Sequence, residues 1–198
     1  MEVTRKQAEE TLQEVDAVAQ GVRGHVAYGV VGPILMVWGA VWMACFAVVH
    51  FAPRISGWAW LVGNALGIAG SLYFGRFHPR ARAVRSESAR RVGWRVFWFW
   101  LFLFVYADIW LAVLWPWRGE QLGVFLVTLV MFAYVVMGLW LEVRFLLWLG
   151  LLVTALAGGG YALSLVAPAV LGVLDLWLGA AGGGALLASG AYLALRWR

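Results

Sequence analysis

The sequence predicts an all-α polytopic membrane protein: six transmembrane helices in three hairpins, preceded by a short amphipathic cytoplasmic helix. Three observations carry this. The 198 residues are 64% hydrophobic and only 13% charged, against roughly a quarter charged in soluble domains. The mean hydropathy is +0.83. The apolar residues also fall into runs of about 20, the length a helix needs to cross a bilayer with its backbone hydrogen bonds satisfied internally.

Residues 1–26 form the cytoplasmic segment. Thr4 and Gln7 have the spacing of a capping box. Ala8, Leu12, Val15, Ala19, Val22 and Val26 recur at alternating four and three, which marks an apolar stripe on a helix. Glu2, Glu9, Glu10, Glu14 and Asp16 outweigh Arg5 and Lys6, so the helix is not of the basic type that lies on anionic membranes. It is suited to dock on the basic loop described below or on a cytoplasmic protein partner. No basic n-region, apolar h-region and cleavage site precede it, and the chain is expected to insert uncleaved.

Residues 27–198 form the membrane domain. Its six runs cover approximately 27–51, 57–75, 95–116, 121–141, 145–167 and 170–195. The fourth and fifth are divided only by LEVRF at 141–145, where Glu142 and Arg144 supply a polar turn. Merging those two runs would give five spans, but their joint length is too great for one. Pro53, Pro116 and Pro168 each precede a glycine within a few residues, so each of three hairpins turns where proline stops a helix.

Orientation follows from Lys and Arg, which are enriched in short cytoplasmic loops. The loop at 76–95 holds Arg76, Arg80, Arg82, Arg85, Arg90, Arg91 and Arg95, seven of the fifteen basic residues. Alternating outward from it leaves only Arg54 and Arg118 on the far side. Both termini are therefore expected in the cytoplasm, and a bacterial inner membrane is the expected location. The loop arginines are positioned to meet lipid headgroups or a partner. No nucleic-acid-binding motif accompanies them.

Texture predicts packing. Helices approach closely in lipid through small residues. Gly63 and Gly67 in the second run, and Gly179 and Gly183 in the sixth, have GxxxG spacing, and the fifth adds AGGGYALS. Runs two, five and six are therefore expected to pack tightly, within one chain or in a homo-oligomer. The third run, WRVFWFWLFLFVYADIWLAVLWPW, is bulky on every side and suits a lipid-facing position. Of the fourteen tryptophans, nine fall near run ends and read as interfacial belts. Trp38 and Trp42, one turn apart, read as core before they read as an aromatic cage.

The functional signal is the carboxylate of Asp108, deep in the third run. A charge at membrane depth costs about 2.5–3.5 kcal/mol on insertion scales and marks a functional-site hypothesis. Asp108 precedes Pro116 by eight residues and Asp175 follows Pro168 by seven, so both are expected about 10–12 Å below the outer turns. His50 joins this layer, with Arg54 and Arg118 at its surface and Trp110 one turn-half away from Asp108. Carboxylates facing one another would share a proton or demand a cation. The site expected for a proton, cation or small ligand is thus Asp108, Asp175, His50, Arg118 and Trp110. The bland alternative pairs each Asp separately as a structural bond. Asn64, among the glycines of the second run, reads as a glue between helices.

Enzyme signatures are missing: there is no HExxH, GxSxG, P-loop or dinucleotide fingerprint. Cys45 is the single cysteine, His25, His50 and His78 lie at run ends, and no metal or other cofactor is implied. Two functional readings follow. One is a small transporter or channel built on the intramembrane carboxylates. The other is a non-transporting scaffold or sensor that engages a cytoplasmic partner through the N-terminal helix and the arginine loop.

Overall fold

The computed structural model describes residues 30–77, 87–167, 169 and 172–196. The N-terminal segment 1–26, Arg80, Arg82, Arg85 and Pro168 lie outside them. The described residues are helical, without strands. Five helices are long and apolar enough to cross a membrane: α1 (Val30–Phe51), α3 (Glu87–Val113, apolar from Arg90), α4 (Gly119–Trp140), α5 (Arg144–Val166) and α6 (Leu174–Leu195). Between α1 and α3 lies α2 (Ser56–Leu72), shorter at 17 residues and prolonged by a π-helical turn over Tyr73–Phe77. These elements match the expected runs to within a few residues, apart from the third. That helix begins earlier, at Glu87, where Arg91 bonds Glu87 at 2.6 Å one turn away and extends the helix beyond its apolar part.

The turns are built as their residues dictate. Pro53 opens a single 3-10 turn between α1 and α2, and the Ser56 hydroxyl donates to the Pro53 carbonyl at 2.8 Å. The α4–α5 turn is the tightest: Val143 N–H donates to the Gly138 carbonyl at 2.9 Å, and Glu142 takes φ 56° to reverse the chain.

Four helices make the core. Leu35, Trp42 and Phe46 of α1, Val127 and Met131 of α4, Val153 and Ala157 of α5, and Leu174, Leu178 and Leu186 of α6 form one buried cluster. Water is not what drives them together in lipid; close fit is. Glycines set that fit. Gly150 of α5 lies so near α4 that an added Cβ would meet the Met131 carbonyl oxygen at 2.7 Å. In α6, Gly179, Gly182 and Gly183 lie in a π-helical stretch, Gly179–Gly184, that rests on Phe46, Trp42 and Met43.

The contact register shows helix directions. From α1 to α2, Cys45 meets Gly63, Trp38 meets Gly67 and Val37 meets Gly70, so the two run antiparallel. From α1 to α6, Phe46 meets Gly179, Met43 meets Gly183 and Gly32 meets Gly190, again antiparallel. α4 and α6 are parallel, with Gly123 on Leu178 and Val127 near Gly182. One end of the bundle thus carries Pro53 and Pro116, and the other Arg76 and Arg144.

Gly63, Gly67, Gly179 and Gly183 are all buried in tight contacts, but α2 packs on α1 rather than on α5 or α6. A glycine groove accepts a large side chain, and the large side chains are those of α1: Trp38 and Cys45 fill one groove, Trp42, Met43 and Phe46 the other. Trp38 also donates from Nε1 to the Ser71 hydroxyl at 2.9 Å. It and Trp42 are core, turned to opposite neighbours.

α3 stands at the rim. Only 6% of its span is buried, with Ala107 facing inward and Trp100 edge-on to Tyr134 of α4. Bulk on every side prevents the close approach that glycine allows elsewhere.

Candidate functional site

At the proline end, three titratable side chains come from three helices. His50 closes α1, Glu120 lies in the first turn of α4, and Asp175 in the first turn of α6. All three are half-buried, and the charges of Glu120 and His50 both act on Asp175. α5 contributes beside them: the Gln121 amide donates to the Tyr161 hydroxyl at 3.3 Å.

Helix polarity explains the placement. A helix start carries free N–H groups and a partial positive charge, which favours carboxylates; a helix end favours a cation. Because α1 runs against α4 and α6, this end presents one helix terminus that suits His50 and two that suit Glu120 and Asp175. Two carboxyl groups and an imidazole at one level are side chains of the kind that serve in proton transfer. Among the described residues no three His, Cys, Asp or Glu are placed to hold a metal ion.

The sequence-predicted site is divided. His50 and Asp175 lie at the same end of the bundle. Arg118 immediately precedes α4 and is exposed, two residues from Glu120. Asp108 and Trp110 are elsewhere, on the exposed face of α3, and Asp108 is not among the charges that act on Asp175. Arg76, Arg90, Arg91 and Arg95 are exposed at the opposite end. Glu120 was missed by the sequence reading. Its signal was there: an acid four residues after Pro116, on the same level as His50 and Asp175, but in a first helical turn where acids are common for local reasons.

A groove of about 540 Å³ lies between α1 and α2, lined by Ala40, Val41, Ala44, Cys45, Trp58 and Leu66 among others. Its walls are apolar, and it does not contain the three titratable residues. No family model, curated protein or solved structure matches this chain.

Proposed function

We propose that the chain is a small six-span transporter or channel of a bacterial inner membrane, with both termini cytoplasmic, handling a proton at His50, Glu120 and Asp175. The observation that carries this reading is the register of α1, α4 and α6, in which Gly123 and Gly179 both pack on Phe46 and so bring His50, Glu120 and Asp175 to one end of the bundle.

The sixth span is α2. It lies antiparallel along α1 from Cys45–Gly63 to Val37–Gly70, and α1 is itself a membrane-spanning candidate. Parity adds support: where every connection reverses direction, first and last helices that run antiparallel require an even number of spans. The thirteen-to-two division of basic residues supports the cytoplasmic ends.

The test is flux in proteoliposomes, read with a pH-sensitive dye for protons and with Na⁺ and K⁺ indicators. The expected result is a flux that falls about tenfold or more in Asp175→Asn and Glu120→Gln, the scale of a lost proton-transfer group, with the chain still folded. A wild-type chain that passes none of these ions, or variants that conduct like wild type, would overturn it. The scaffold reading would then lead. It is favoured by Arg76, Arg90, Arg91 and Arg95, which stand exposed at one end of the bundle.

A further inference from the structure

Asp108 lies on the exposed side of α3, flanked by Phe104, Val105 and Ile109, which are exposed too. No described residue hydrogen-bonds or ion-pairs with it. A carboxylate left against hydrocarbon is strongly disfavoured, and intramembrane acids almost always face protein or water. The donor it requires must therefore come from outside the described bundle.

A second polar group is in the same position. Asn64 is exposed on α2, beside the exposed Leu61 and Ile68, and it has no hydrogen-bond partner among the described residues. Asn64 is eight residues into α2 from the proline end, and Asp108 five residues from the end of α3. At 1.5 Å per residue these depths are about 12 and 8 Å, less than one helical turn apart. Their chemistry is complementary: the amide has two N–H donors and the ionised carboxylate only accepts. Each helix also has a free side, because α2 packs on α1 and α3 on α4.

We infer that two copies of this chain associate in the membrane through α2 of one and α3 of the other, with the Asn64 amide donating to Asp108 across the contact. A second copy is the occupant because the donor that Asp108 lacks is displayed, at the matching level, on the chain's own surface. A two-fold axis makes a contact of this kind reciprocal. The inference concerns α2 and α3 and stands apart from the His50 site.

The test uses full-length chains carrying Cys45→Ala and two different tags. One copy has Asn64→Cys, the other Asp108→Cys, and membranes holding both are oxidised. The expected product is a disulfide-linked pair bearing both tags, formed in far greater amount than in membranes holding either variant alone. Asp108→Leu, which puts an apolar residue on an already exposed helix, is expected to weaken dimerisation in lipid about three- to twentyfold, the scale of interhelical hydrogen bonds. Absence of the mixed product, a pair linked only through two Asp108→Cys chains, or an Asp108→Leu dimer as tight as wild type would each overturn the assignment.

Discussion

Gly39 and Gly183 meet across α1 and α6 with almost nothing between their backbones. A Cβ on Gly39 would lie 2.6 Å from the Gly183 carbonyl oxygen, and one on Gly183 would lie 2.8 Å from the Gly39 carbonyl oxygen. Neither neighbour is a flexible side-chain end, so the helices themselves would have to part. Gly39→Ala and Gly183→Ala should each destabilise the chain by about 1–3 kcal/mol, the cost of overpacking a tight core. Gly158→Ala and Gly159→Ala, which meet nothing within 4 Å, should be neutral or gain up to about 1 kcal/mol from helix propensity. Unfolding in mixed micelles compares the four; equal losses would contradict the seam.

The bond from Trp38 Nε1 to Ser71 Oγ joins α1 and α2, and Ser71 in turn donates to the Gly67 carbonyl at 2.8 Å. Ser71→Ala leaves a half-buried indole N–H without its acceptor. A double-mutant cycle with Trp38→Phe should give a coupling of about 0.6–1.7 kcal/mol, the range measured for interhelical bonds in membranes. Purely additive losses would mean that the two contribute independently.

Glu142 occupies the left-handed region at φ 56° in the α4–α5 turn. A side chain there costs about 1–2 kcal/mol that glycine avoids, partly offset by glycine's freer unfolded state. Glu142→Gly should therefore raise the unfolding midpoint slightly, and Glu142→Val, β-branched, should lower it. A midpoint that drops with glycine would show that the carboxylate itself holds the turn.

Topology is open to direct measurement. In a Cys45→Ala chain, cysteines at Ser56 and Arg118, both at the proline end, should react with an impermeant thiol reagent from outside the cell. Glu142→Cys should react only in inverted vesicles. Labelling of Glu142→Cys and Ser56→Cys from the same side would break the alternating arrangement.

The fold was legible where the signal is local. Pro53, Pro116 and the Glu142–Arg144 turn each act within a few residues, and all recur as observed boundaries, as do the apolar runs other than the third. α2 was legible as an apolar run at 57–75, yet its glycines, Asn64 and tryptophans leave it less apolar than its neighbours, and it is 17 residues long before the π turn.

What the sequence by itself determined is what hydropathy determines: a helical membrane protein, its turns, the concentration of arginine at one end, and the bulk that keeps α3 at the rim. Only the tertiary structure decided which groups meet. GxxxG spacing says that a helix can be approached closely, but α1 became the partner of both glycine grooves because its Trp38, Trp42, Met43 and Phe46 fill them. Asp108 and Asp175 have similar depth in the sequence, and depth is all that spacing conveys. The rotation of each helix about its own axis left Asp175 half-buried, at the end that also holds His50 and Glu120, and left Asp108 on an open face. That rotation is set by packing summed over the whole bundle, which no single stretch of chain contains.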